Sequence, residues 1–101
     1  MIMNNDNIDK LIELDGVVYT EDMTKLVSYP KERPGEEYVV PDGVIEIGSH
    51  AFAGAIYLRR VTLPVTVRVI GDYAFCGAHI EVNLPGSVSE IGVRAYAPSQ
   101  S

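Results

Sequence analysis

The chain has 101 residues, 47% of them hydrophobic and 22% charged, which is one domain's worth of ordinary globular composition. A chain of this size buries roughly 60–65% of its unfolded surface, enough for one modest core. Its net charge of −6 argues against a nucleic-acid binder with a basic face and against docking on an anionic membrane.

Residues 1–15 are expected to form an N-terminal arm or a short helix. The opening MIMNNDNIDK has neither a basic n-region nor an apolar h-region, so no signal peptide is expected there. No apolar run approaches the length that spans a bilayer, so no membrane insertion is expected. Residues 1–37 hold nine acids and four bases, against five and four in residues 38–101. The acidic opening reads as a solvated face. Residues 16–30, GVVYTEDMTKLVSYP, read as a β-hairpin. Val17 to Thr20 and Lys25 to Tyr29 are its strands, and Glu21 to Thr24 its turn.

From residue 36 onward the chain repeats itself. YVVPDGVIEIGSHAFAG, VTLPVTVRVIGDYAFCG and VNLPGSVSEIGVRAYAP superimpose, with steps of 23 and then 21 residues between equivalent prolines. The boundaries are 36–60, 61–81 and 82–98, followed by a tail at 99–101. The length difference falls in a connection, where such changes are tolerated.

Each repeated position has a physical task. Tyr38 and Val40, Val61 and Leu63, and Val82 and Leu84 alternate with exposed residues, the period of a half-buried strand. Pro41, Pro64 and Pro85 lack an N–H and end that strand. Val44 and Ile47, Val67 and Ile70, and Val88 and Ile91 then point inward. Gly48, Gly71 and Gly92 are expected to turn the chain with φ > 0. Ser49 and Asp72 are expected to cap a one-turn helix. Phe52, Phe75 and Tyr96 are expected to stack, and Gly54 and Gly77 to end the turn. One such unit cannot bury its apolar stripe alone, and about three stacked copies are needed for stability.

The pattern L-x-x-V-x-L-P-x-x-V-x-x-I-G-x-x-A-F-x-G resembles the BspA-type leucine-rich repeat of bacterial surface proteins, over residues 36–98. Residues 16–30 also resemble the segment that often precedes such repeats. The chain departs from the pattern at Ala55 and Ala78, where the family often has Cys, at Val93 in place of a cap, and at Pro98 in place of Gly. The resemblance implies a mostly β (α+β) solenoid in one domain, with a parallel sheet, one-turn helices at the corners and the N-terminal β-hairpin. It implies ligand binding or adhesion through the sheet face, and an extracellular or cell-surface location. With no signal segment expected in this stretch, a cytoplasmic location or a place inside a longer protein stays open as the alternative.

Two groups of residues invite a functional reading. Asp72, Cys76 and His79 look like a thiol beside an acid and a histidine. Asp72 aligns with Ser49, and Cys76 with Ala53 and Ala97, which points to structure rather than chemistry. A metal site needs a second clustered pair of ligands, and His50 is the one other histidine. The single cysteine also rules out an internal disulfide. G-x-x-A-F-x-G lacks the ending and spacing of a phosphate loop. No catalytic residue, cofactor or metal is therefore expected. The second group faces outward on the strands. Glu37, Arg60 and Glu81 fall in register, as do Val39, Thr62 and Asn83, with Tyr57 and Arg59 at the rim on the longer connection. These are the candidate ligand surface.

Two functions follow. The first is a non-catalytic recognition module that binds a protein or glycan through the sheet face. The second is an assembly protein that forms homodimers through its uncapped last repeat or a strand edge.

Overall fold

The computed structural model describes residues 10–77 and 79–95. Among these residues there are nine strands and no helix. The strands form two sheets. β4 (Glu37–Val39), β6 (Arg60–Thr62) and β8 (Glu81–Val82) make a three-stranded parallel sheet. β5 (Glu46–Ile47), β7 (Val69–Ile70) and β9 (Glu90–Ile91) make the parallel part of a six-stranded sheet. That second sheet continues into the N-terminal segment. β3 (Lys25–Ser28) pairs parallel with β5, and β2 (Val17–Thr20) and β1 (Leu11–Leu14) add antiparallel. Leu11–Leu14 is thus a strand rather than the arm or short helix expected over 1–15. Residues 1–9 of that segment lie outside the described residues.

The core lies between the two sheets. Leu26, Ile47 and Ile70 line up in register from the six-stranded sheet, and all are fully buried. Val61, Val40 and Leu63 close it from the other side. Val17 and Tyr19 of the hairpin are 0% and 1% exposed, so β2 covers the first end of the stack. Phe52 lies parallel to Phe75, with centroids 5.1 Å apart and an interplanar angle of 8°. Tyr29 and Tyr38 extend the aromatic column toward the hairpin. Tyr96, expected to continue the stack, lies outside the described residues.

Arg33 ties the hairpin to the repeats. Its guanidinium sits 5.5 Å from the Tyr29 ring centroid and 5.3 Å from that of Tyr38. The same group donates to the Asp15 carbonyl at 3.0 Å and pairs with its carboxylate at 3.3 Å. The Tyr19 and Tyr38 hydroxyls are also hydrogen-bonded to each other.

The corners correct two expectations. They are chains of turns, not one-turn helices. His50, Tyr73 and Arg94 have φ of 58°, 57° and 51°, in the left-handed region where a right-handed helix cannot continue. Alternate N–H groups also leave the repeat. Ala51 and Ala53 donate within it, to Gly48 O and His50 O, as in a turn. His50, Phe52 and Gly54 donate to Asp72 O, Ala74 O and Cys76 O of the next repeat. Tyr73 and Phe75 do the same to Val93 O and Ala95 O. The corner is a third lateral ladder, and a helix would consume the donors that build it.

Nor do Gly48, Gly71 and Gly92 adopt positive φ, unlike Gly54 and Gly77 at 71° and 76°. Their constraint is space. A Cβ on Gly71 would stand 2.7 Å from Ser49 N and 2.9 Å from Gly48 C. One on Gly92 would stand 2.5 Å from Asp72 N and also strike the Asp72 carboxylate. Asp72 is likewise no helix cap. Its carboxylate accepts the N–H of Val93 at 2.8 Å, one repeat further on.

Candidate functional site

The outward row of the three-stranded sheet comes straight from the repeat register. Glu37 stands opposite Arg60, and Arg60 opposite Glu81. The guanidinium of Arg60 divides between them, with Nη1 2.9 Å from Glu37 Oε2 and Nη2 3.2 Å from Glu81 Oε1. All three side chains are more than half exposed, so water and salt screen the row and each pair is worth about 0–1 kcal/mol. One guanidinium thus bridges carboxylates on the two neighbouring strands.

Beside that row, Val39 stands opposite Thr62. Val39 is 68% exposed. Asn83 follows on the same side, but its amide is engaged. Its Oδ1 accepts the Leu63 N–H at 2.8 Å, and its Nδ2 donates to Leu63 O at 3.4 Å. The side chain thus takes the place of main-chain pairing, and β8 has only two residues in the ladder where β4 has three. Arg60, Thr62, Glu81 and Asn83 surround one shallow depression of about 200 Å³.

Tyr57 and Arg59 do not join this group. They lie on the longer connection and, with Pro34, Gly35, Glu36 and Ile56, line a separate depression of about 290 Å³. Ile56 is 62% exposed and Tyr57 52%. Sequence reasoning missed Ile56. The signal was there, since Ile56 belongs to the longer connection of the first step, which no apolar periodicity governs.

The acid, thiol and histidine are used separately. Asp72 bonds to Val93. Cys76 is half-buried in the corner ladder, its N–H donated to Tyr73 O and its O accepting from Gly54. His79 is exposed and lines a depression with Ala55, Ile56, Leu58, Arg59 and Gly77. Among the described residues no three His, Cys, Asp or Glu side chains cluster as metal ligands would. His50 stacks on Tyr73 at the corner surface, with ring centroids 5.1 Å apart and 16° between planes.

Among the described residues no helix is long and apolar enough to cross a membrane. No match is found among curated proteins. Two solved structures share the fold. The pneumococcal vaccine antigen PcpA is 24% identical with a TM-score of 0.78, over 87% of this chain and 28% of that one. A leucine-rich repeat protein from Eubacterium ventriosum is 26% identical with a TM-score of 0.76, over 87% of this chain and 24% of that one. The chain spans about a quarter of the length of either. The family described as "BspA type Leucine rich repeat region (6 copies)" matches residues 31–101, which contain all three repeats. With strands, inward residues and repeat steps in agreement, the chain belongs to the BspA-type leucine-rich repeat family.

Proposed function

We propose that this chain is a non-catalytic recognition module that binds a protein or glycan through the exposed face of the three-stranded sheet. One observation carries the reading. Glu37, Arg60 and Glu81 are held in register on strands whose opposite face packs on the core through Tyr38, Val61 and Val82. Rigid placement of exposed polar groups suits selective binding, because little order has to be created on contact. Repeat solenoids use such extended surfaces for binding. Membership of the family, and a pneumococcal vaccine antigen among the structures sharing the fold, support a surface-associated setting for that ligand.

The test is a screen of glycan and protein arrays with the parent chain and with Thr62→Lys, which obstructs the centre of the face. A ligand held by the parent and lost by Thr62→Lys supports the reading. Ligands indifferent to that substitution, and to Arg60→Glu, overturn it.

A second reading, assembly, is favoured by the third repeat. Leu84, Ile91 and Val93 are 50%, 48% and 61% exposed, although Leu63 and Ile70 of the preceding repeat are buried. Light scattering across concentration decides it. Dimers that Ile91→Glu dissociates support assembly, and a monomer at high concentration removes it.

A further inference from the structure

β4 is the end strand of the three-stranded sheet, and among the described residues it pairs only with β6. The six-stranded sheet is carried past the repeats by β3, β2 and β1, and the three-stranded sheet is not. The hydrogen bonds identify which main-chain groups of β4 are used. Glu36 O accepts from Arg60 N–H, and Val40 N–H donates to Thr62 O. In a parallel ladder alternate residues direct both main-chain groups to the same side. Residues 36, 38 and 40 therefore face β6. Glu37 and Val39 turn N–H and C=O toward the open edge, and both residues are exposed.

The side chains beside that edge specify the chemistry of a partner. Arg60 already serves both Glu37 and Glu81. A strand added at β4 would bring a side chain to about 5 Å from Glu37. A cation there continues the alternation of charge, and a carboxylate breaks it. Two residues along, Val39 presents an uncovered apolar side chain. A second copy of this chain fits poorly, because stacking its β8 on β4 in the same direction sets Glu81 against Glu37.

We infer that the open edge of β4 takes an extended protein segment as an added strand, with Lys or Arg beside Glu37 and an apolar residue beside Val39. This is recognition by strand addition, in which main-chain bonds give affinity and alternate side chains give selectivity. It rests on the recognition reading above and adds the edge of the sheet to its face as a docking place.

The experiment is an NMR titration of the full chain with short capped peptides. Their centres are Lys-Thr-Val and the reverse order, with Glu-Thr-Val as the control. Shifts centred on the Glu37 and Val39 amides are expected, with the lysine peptides about fivefold tighter than the control at low salt. Glu37→Lys should reverse that preference. Val39→Pro removes an N–H that β6 does not use, and should abolish binding while melting near the parent. Thr62→Lys blocks the face and should leave peptide binding in place, so failure of the face and failure of the edge are read separately. Absence of peptide shifts, binding that survives Val39→Pro, or a dimer that Val39→Pro dissociates would each overturn the inference.

Discussion

The carboxylate of Asp72 accepts the main-chain N–H of Val93 at 2.8 Å, so a side chain of the second repeat is tied to the backbone of the third. Val93 is 61% exposed, so water can replace the lost acceptor. Asp72→Ala should therefore cost only about 1 kcal/mol. That corresponds to a fall in Tm of about 4–8 °C for a domain of this size. Asp72→Asn keeps an acceptor and should retain most of the stability. Equal melting of the Ala and Asn variants would show that the bond contributes nothing.

Gly71→Ala tests the close approach of the corners. Its Cβ would meet Ser49 N at 2.7 Å, Gly48 C at 2.9 Å and Ile47 O at 3.0 Å, all backbone atoms that cannot swing away. Overpacking of this kind costs about 1–3 kcal/mol. Gly86 has open space around it and no positive φ. Gly86→Ala should be neutral or stabilise by up to about 1 kcal/mol, through the unfolded chain. A denaturant midpoint for Gly71→Ala no lower than that for Gly86→Ala contradicts the steric account.

The stacked pair Phe52 and Phe75 should be sensitive to truncation at either ring. Phe52 is fully buried between Tyr29, Tyr38 and Phe75. Phe75 is 2% exposed, one repeat nearer the C-terminal end. Truncation of a buried Phe to Ala costs about 3–5 kcal/mol. Phe52→Ala and Phe75→Ala should each fall in that range, because both rings are buried and stacked on one another. A variant at either position that melts like the parent would contradict the aromatic stack.

The repeats themselves were legible because each apolar position recurs in register. Tyr38, Val61 and Val82, or Ile47, Ile70 and Ile91, can be aligned without any coordinates. The charged row on the face followed from the same register. The corners were not legible, for a physical reason. G-x-x-A-F-x-G fits a single helical turn as well as it fits a string of turns. The difference lies in where the N–H groups of His50 and Phe52 go, and that depends on the neighbouring repeat. Likewise, a glycine required by a tight approach looks identical to one required by positive φ. Their place on the longer connection suggests the rim of the sheet for Tyr57 and Arg59. The longer connection instead carries them to a separate depression.

Tyr19 gives a prediction in alkali. Burial, then its hydrogen bond with Tyr38, raises the pKa of its hydroxyl above the ordinary value of 10.0. The unfolded chain therefore releases this proton first. The stability involved is present in full below about pH 10 and is lost as pH rises above it, toward the folded value. The denaturant midpoint of the parent should fall as pH rises above about 10, and Tyr19→Phe, which cannot ionise, should show a smaller fall there. Parallel pH profiles would remove Tyr19 as the cause.

Arg60 separates the stability of the sheet from its use. The Glu37, Arg60 and Glu81 side chains are 65%, 54% and 76% exposed. Arg60→Ala should therefore change stability by less than about 1 kcal/mol. Arg60→Glu is different, because it sets three carboxylates side by side on adjacent strands. Like charges opposite one another destabilise a sheet by up to about 1 kcal/mol per pair. The loss should shrink as added salt shortens the screening length. Thermal melts at low and high salt measure this directly. A salt-independent loss for Arg60→Glu would mean that packing of the arginine stem, rather than charge, is what the row contributes. If the sheet face binds a ligand, Arg60→Ala should weaken that ligand while leaving the melt almost unchanged, a combination that a purely structural row cannot produce.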